Sequence, residues 1–289
     1  MKSSLSHPAS STIQSDVGLS EVIQLQQELL RTREKLVKAE KKLRTEFDDA
    51  AKYVRRMLPP PLIGREMIDW KFQPATHIGG DGLGYRRIDD DQIAFYVLDV
   101  AGHGLGSALM AVTALEMLRA HSKAIDFRRP AHVVERLNGF LQMKDHAGKF
   151  LSVWYGVYSH LEQCITYANA GHPSPLLLTR EETGAGLVLT KTAPGGAVLG
   201  VFSEIEVHET PIKFPIGSEL FLFTDGLYET RGLGQQHGSY NEFLHHLQAR
   251  VSAGHPPYES ILLWLDEARG QGLIDDDVTL LRFATQRYG

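Results

Sequence analysis

The sequence predicts an α+β fold in which antiparallel sheets are flanked by helices and preceded by one long N-terminal helix. Two observations lead to this prediction. Apolar runs of strand length are joined by turns, and the later helical segments come in pairs rather than alternating with single strands. Residues 20–58 contain no Gly or Pro and are rich in Glu, Gln, Lys, Arg and Leu, a composition typical of a long amphipathic helix.

The long helix carries an apolar repeat of seven residues. One core position of the repeat takes Val22, Leu29, Leu36, Leu43, Ala50 and Met57, and the other takes Leu25, Thr32, Ala39, Glu46 and Tyr53. Such a stripe needs a partner, because a single helix cannot bury its own apolar face. We expect a parallel homodimer through residues 20–58. The alternative, packing on the chain's own following domain, remains open for the last turns near Tyr53.

The rest of the chain divides at its composition changes. We expect a disordered, serine-rich segment over residues 1–17, a helical linker or coiled coil over 18–58, and a catalytic domain over 59–289. Pro59, Pro60 and Pro61 end the long helix because proline lacks an amide donor. The expected strands span residues 92–100, 151–158, 164–170, 175–179, 201–214, 219–224 and 278–283. The expected helices span residues 104–120, 130–143, 241–251 and 258–268.

Composition excludes several classes of function. The formal net charge of −5 does not favour a nucleic-acid partner, since such proteins are usually basic. No apolar run reaches the length of a membrane span, and the serine-rich start lacks the apolar stretch of a secretory signal. We therefore expect no membrane partner and a cytoplasmic location. The single cysteine, Cys164, rules out an internal disulfide.

Aspartates recur where apolar strands end beside glycines. Asp81 lies in Gly-Gly-Asp-Gly, Asp99 ends the strand over 92–100, Asp225 follows the strand over 219–224, and Asp276 and Asp277 open the last strand. Each alone is commonly a turn residue. A charge at the end of a buried strand is costly unless it is neutralised, and the pattern occurs at four places. Oxygen-only ligands favour Mn²⁺ or Mg²⁺ over zinc.

These motifs occur in a familiar order. Asp81 after two glycines is followed by Asp99-Val100-Ala101-Gly102-His103-Gly104, then Asn169-Ala170-Gly171-His172-Pro173, then Thr224-Asp225-Gly226, then Asp276-Asp277-Val278-Thr279. This order resembles the metal-dependent protein phosphatases of type 2C, the PPM family, and in particular its SpoIIE-like bacterial branch. The resemblance runs from about residue 58 to residue 283. It implies a sandwich of two antiparallel sheets between pairs of helices (α-β-β-α), with two metal ions at one end.

The resemblance also implies a role for each acidic residue. The implied catalytic residues are Asp81, Asp99, Asp225 and Asp276, and the implied metal ligands are Asp81, Asp99, Val100, Asp225, Asp276 and Asp277. Asp99 would bridge two Mn²⁺ or Mg²⁺ ions, with the carbonyl of Val100 as a further ligand. Asp81 would complete one side and Asp225 with Asp276 the other. Asp277 would act from the second shell or through a water.

The implied function is a phosphoserine or phosphothreonine protein phosphatase in which a metal-activated water attacks phosphorus. The implied substrate is a phosphorylated signalling protein such as a STAS-type anti-sigma-factor antagonist. The chain departs from the branch pattern at residues 82–85, where many relatives carry an aromatic pair and a second aspartate. That departure keeps a second hypothesis open, a catalytically weak or inactive module that binds a phosphoprotein.

Two further features have modest interpretations. His103 and His172 lie beside glycines in tight loops, where a histidine more often orients backbone than binds metal. We expect at most a supporting role for His172. Gly102, Gly104 and Gly106 lack the third spacing of a dinucleotide-binding loop, so close helix packing explains them better.

Overall fold

The structure is a computed structural model that describes residues 12–75, 78–120, 122, 124–180, 187–229 and 239–286, with side chains from residue 21 onward. The chain forms two compact units, Met1–Ala50 and Ala51–Gly289. The elements in chain order are α1 Thr12–Met57, β1 Glu66–Gln73, β2 Asp81–Arg87, β3 Gln92–Val100, α2 Leu105–Arg119, α3 Pro130–Phe140, β4 Leu151–Ser159, β5 Cys164–Ala170, β6 Leu176–Arg180, β7 Leu187–Lys191, β8 Thr210–Lys213, β9 Glu219–Phe223, α4 Tyr240–Ser252, α5 Pro257–Gly270 and β10 Val278–Thr285.

The first unit consists of helix α1. The helix begins at Thr12, inside the segment for which the sequence predicts disorder, and residues 1–11 of that segment lie outside the described residues. The heptad side chains Leu25, Leu29 and Leu36 are exposed, at 64%, 68% and 58%. The apolar stripe that the sequence predicts is therefore exposed at these positions, whereas its last position, Met57, belongs to the second unit and is buried in the apolar core there. The domain boundaries at residues 17 and 58 stay predictions.

The second unit contains two five-stranded antiparallel sheets. One has the strand order β1-β10-β9-β6-β7 and the other β2-β3-β4-β5-β8. Helices α2 and α3 pack on the second sheet, and the apolar faces of α4 and α5 pack on the first. Three apolar layers result: one under α2 and α3, one between the sheets, and one under α4 and α5. This is the α-β-β-α sandwich that the resemblance implies, and it confirms the predicted fold class.

Strand β3 shows why the central strands are apolar on both faces. Ala94, Tyr96 and Leu98 belong to the layer under the helices. The residues between them, Phe95 and Val97, belong to the layer between the sheets. Alternate side chains of a strand point to opposite faces, and here both faces are covered. The two sheets meet directly in this layer, where the rings of Phe95 and Phe283 stack at 4.3 Å.

The structure corrects several element predictions. Strands β1, β2 and β7 were not expected, because glycines in β2 and polar residues in β1 weaken the strand pattern. The expected strand over residues 201–214 is wrong for most of its length, since only Thr210–Lys213 pairs with β5. Glu204, Glu206 and Glu209 have low strand propensity and favour an irregular path before β8. The remaining strands and helices lie where the sequence predicts them, within a few residues.

Candidate active site

Two of the predicted site residues are direct neighbours on adjacent strands. Asp81, the first residue of β2, is the ladder partner of Asp99, near the end of β3, and Ser152 on β4 is the next partner in the row. Directly opposed residues of an antiparallel pair project from the same face. In β3 this face is that of Phe95 and Val97, so both carboxylates project into the gap between the sheets, at its end.

The other sheet brings its aspartates to the same end of the gap. Strand β9 stops at Phe223 and strand β10 starts at Val278, so Asp225 and Asp276 leave these neighbouring strands side by side. Thr224 connects the two sheets: its Oγ1 donates to Asp81 Oδ2 at 2.8 Å and accepts from the Thr279 amide at 2.9 Å. The structure therefore brings together the five aspartates that the sequence singles out.

The carboxylates of the cluster repel one another, and this repulsion adds to the effect of burial on their pKa values. Burial, followed by repulsion from Asp225, Asp276 and Asp277, raises the pKa of Asp99 to about 7. Burial and neighbouring carboxylates also raise the pKa of Asp225, to about 6, and the pKa of the buried Asp81. Such a cluster is unfavourable at neutral pH unless positive charge or protons offset it.

The donor chemistry of the cluster fits hard divalent cations. The side-chain donors are carboxylate oxygens, and Mg²⁺ and Mn²⁺ prefer oxygen ligands. The Val100 carbonyl lies against Gly80 at the same end of the sheets, where a Cβ on Gly80 would come within 2.7 Å of it. Within the described ranges, no three His, Cys, Asp or Glu side chains are yet arranged around a common point that could hold an ion.

Asp277 is engaged differently from the other aspartates. Its Oδ1 accepts the Ala75 amide at 2.8 Å and its Oδ2 accepts the Gly80 amide at 2.6 Å. The carboxylate fills the space where a side chain on Gly79 would have to lie. Asp277 thus fastens the loop before Asp81 to the start of β10. Both of its oxygens already have partners, which fits an indirect role better than direct coordination.

The motif around His172 forms a fixed loop. Asn169 Oδ1 accepts the His172 amide at 2.9 Å, and Asn169 Nδ2 donates to the His172 carbonyl at 3.1 Å. The His172 Nδ1 lies 3.0 Å from Ser152 Oγ. Burial lowers the pKa of His172 to about 3, so the ring is neutral at pH 7 and a weak base. By contrast His103 is exposed on the loop after β3.

A cavity of about 500 Å³ opens beside the cluster. Asp99 and Asp225 line its inner end, and Phe150, Pro173, Val198 and Tyr228 line its walls. Sequence reasoning missed Ser152, Phe150 and Tyr228 because no local motif marks them. Thr224 had a signal, its place directly before Asp225, but its bond to Asp81 depends on a contact between sheets.

The departure at residues 82–85 is explained by packing. Gly82 and Gly84 lie on the helix side of β2, where a Cβ on Gly82 would meet Leu115 and Leu98 at 3.1 Å and one on Gly84 would collide with the Tyr96 ring. These positions therefore face away from the carboxylate cluster. The glycines make room for the helix layer, and the alternate residues Leu83 and Tyr85 pack in the layer between the sheets.

Comparison with known proteins fits this fold and site. The family model described as "Stage II sporulation protein E (SpoIIE)" matches residues 89–286. The chain belongs to the SpoIIE family. Its domain is thus of the PP2C, or PPM, type that the sequence motifs imply. Among the described residues, no helix has the length and apolarity needed to cross a bilayer.

The individual relatives have low sequence identity to this chain. The chain is 26% identical over 189 residues to Phosphoserine phosphatase RsbP of Bacillus subtilis, covering 64% of this chain and 45% of RsbP. It is 24% identical over 195 residues to Phosphoserine phosphatase RsbU of the same organism, covering 66% of this chain and 56% of RsbU. The chain thus spans about half the length of these curated relatives. The SiaA-PP2C domain of Pseudomonas aeruginosa shares the fold, with a TM-score of 0.69 and 22% identity, covering 86% of this chain and 99% of that domain.

Proposed function

We propose that this chain is a metal-dependent protein phosphatase that hydrolyses phosphoserine or phosphothreonine in a signalling protein. The observation that carries the proposal is the convergence of aspartates from both sheets: Asp81 and Asp99 from one, Asp225 and Asp276 from the other. Charged groups brought together at a raised pKa beside a cavity are typical of catalytic sites. The family match and the names of RsbP and RsbU support the same reaction.

Each residue has a part in this proposal. Asp99 lies centrally and would contact two Mn²⁺ or Mg²⁺ ions, together with the Val100 carbonyl. Asp81 would hold one ion, and Asp225 with Asp276 the other. Bound cations supply the charge that activates the attacking water and neutralises the phosphate oxygens. Cys164 pairs with Ser159, at the end of β4 opposite to Ser152, so its thiol lies away from the carboxylate cluster.

The remaining polar residues hold the acidic ones in place. Thr224 donates to Asp81 Oδ2, which leaves Oδ1 of Asp81 for a cation. Asp277 holds the backbone at Ala75 and at Gly80 through their two amides. Such fixed neighbours determine how accurately ligands are placed.

The proposed substrate is a phosphorylated regulator, such as a STAS-type anti-sigma-factor antagonist. The support is the similarity to RsbP and RsbU, both named phosphoserine phosphatases. We also propose that residues 20–58 pair two copies of the chain, since Leu25, Leu29 and Leu36 form an exposed apolar stripe. The cytoplasmic location expected from the sequence stays a prediction.

The test is phosphate release from phosphopeptides and phosphorylated regulators, with and without Mn²⁺. Wild-type protein is expected to release phosphate only with the metal. Asp99→Asn is expected to lower the rate by at least about a hundredfold, because the amide is a poor ligand for hard cations. Asp266→Asn on the exposed face of α5 is the matched control and should retain full activity. Activity in Asp99→Asn equal to the control would contradict the central role of Asp99.

A second function is a phosphoprotein-binding module without catalysis. It is favoured by one observation, that no three acidic groups among the described residues are already arranged to hold an ion. Calorimetry separates the two functions. A catalytic domain should bind about two Mn²⁺ ions per chain, whereas a binding module should take up a phosphopeptide with no metal requirement.

A further inference from the structure

The cavity next to the carboxylate cluster is larger than a phosphoryl group requires. Its volume is about 500 Å³, within the range of sites that enclose a small molecule or a few residues. Asp99 and Asp225 lie at one end, so a phosphoryl group bound there occupies only that end. The remaining space must receive whatever the phosphate is attached to.

The walls of this space carry apolar side chains beside the polar Ser152, His172 and Ser174. The rings of Phe150 and Tyr228 and the side chain of Val198 line it, together with Pro173 and Pro194. Apolar walls stabilise an apolar side chain through burial, and they penalise a charged one that loses its water.

The walls are also held in position before any ligand binds. Gly171 has a φ of 70° and packs against Val198, where a larger residue would collide. The Tyr240 hydroxyl donates to the Ser174 carbonyl at 2.8 Å, and the Tyr240 ring packs edge-on against Tyr228 at 5.3 Å. A wall fixed in this way binds without a large ordering cost, which favours selectivity.

We infer that this cavity receives the peptide segment beside the phosphorylated residue and selects an apolar side chain at a neighbouring position. The occupant is the protein substrate itself, since the cavity is continuous with the proposed catalytic carboxylates. This inference rests on the proposed function. Phe150, Val198 and Tyr228 are then specificity-determining residues.

The test uses full-length protein with Mn²⁺ and phosphoserine peptides that differ only in one residue next to the phosphoserine: Leu, Lys or Glu. An aryl phosphate is assayed in parallel. We expect kcat/KM for the Leu peptide to exceed that for the Glu peptide by about tenfold or more. Equal rates on all three peptides, with the aryl phosphate cleaved, would overturn the inference and leave the proposed function standing. Cleavage of no substrate at all would overturn both.

Two variants of opposite charge make the test sharper. Phe150 is 37% exposed, so both Phe150→Glu and Phe150→Lys should fold, which their melting temperatures check. Phe150→Glu should raise the ratio of Lys-peptide to Glu-peptide kcat/KM, and Phe150→Lys should lower it, each by about tenfold. Val201→Asp is the matched control, since Val201 is 43% exposed and lies outside the cavity lining. Wild-type ratios in both Phe150 variants would place the peptide elsewhere.

Discussion

The Asp277 carboxylate accepts the backbone amide of Gly80 at 2.6 Å, across 197 positions of sequence. The same carboxylate accepts the Ala75 amide, so one side chain fixes both ends of the loop that leads to Asp81. Asp277 therefore differs from Asp81 and Asp99, whose carboxylates project into the gap between the sheets, because both of its oxygens accept backbone amides. Four mutational predictions and one pH prediction follow from this structure.

Asp277→Asn should destabilise the protein in the absence of metal. The amide offers only one acceptor atom, so one buried backbone N–H loses its partner, at a cost of about 1–3 kcal/mol. Urea denaturation in a chelator measures this change. Asp276→Asn is the control, because Asp276 is exposed and accepts only the adjacent amide; its effect should stay within about 0.5 kcal/mol. Equal losses in the two variants would show that Asp277 has no special structural role.

Asp99→Asn should stabilise the metal-free protein while removing its response to metal. The wild-type carboxyl is half-buried, and its partial burial together with nearby like charges raises its pKa to about 7. A neutral amide relieves that unfavourable charge by on the order of 1 kcal/mol. Wild-type protein should gain about 2.7 kcal/mol when Mn²⁺ is a hundred times its Kd. Thermal melts at pH 8 with and without Mn²⁺ measure both effects. A metal-induced shift in Asp99→Asn as large as in wild type would contradict the proposed ligand set.

Gly79→Ala should be strongly destabilising, because the new Cβ would occupy the position of the Asp277 carboxylate. We expect a loss of about 2 kcal/mol or more, as either the loop or the carboxylate must move. Gly139→Ala, near the end of α3, is the opposite control: nothing lies within 4 Å of its Cβ, and alanine should stabilise the helix by about 0.5–1 kcal/mol. If the denaturant midpoints of the two variants moved in the same direction, Gly79 would not be required to make room for the Asp277 carboxylate.

His172 should lower the stability of the protein in mild acid relative to a variant without this histidine, against opposite contributions from the raised pKa values of Asp99 and Asp225. Burial lowers its folded-state pKa from 6.5 to about 3, so the unfolded chain binds the extra proton between these values. The stabilisation is complete above pH 6.5 and is lost as the pH falls through this window, with a slope that approaches about 1.4 kcal/mol per pH unit. His172→Gln should flatten that slope in denaturation curves compared between about pH 7 and about pH 5.5. A native His172 resonance that titrates near 6.5 by NMR would contradict the buried, neutral ring.

Charged substitutions in the stripe of α1 should dissociate the proposed dimer. Leu29 and Leu36 are 68% and 58% exposed within one chain, so Leu29→Lys with Leu36→Lys should leave the fold of each chain intact. Lysines in the core of a coiled coil oppose pairing. Sedimentation velocity should show a dimer for the wild-type chain and a monomer for the double variant. Leu161→Lys, at a turn where the leucine is 81% exposed, is the control, and a dimer that survives the double substitution would place the interface elsewhere.

The sequence alone determined the parts that depend on local pattern. The run of helix-forming residues without Gly or Pro predicts α1, and the apolar runs predict most of the strands. The Asp-Gly motifs identify the acidic residues that meet in the structure. These signals are readable because each lies within a few consecutive residues. Strand β2 escaped prediction, since Gly82 and Gly84 make room for the helix layer at the expense of strand propensity.

Only the tertiary structure decided what each acidic residue faces. Asp81 meets Asp99 because β2 and β3 pair in one register, and a shift of β2 by one residue would turn the Asp81 carboxylate to the helix side. The bond from Thr224 to Asp81, the two amides on Asp277 and the cavity wall at Phe150 all join segments far apart in sequence. No local pattern encodes such contacts, because they arise from how two sheets pack against each other.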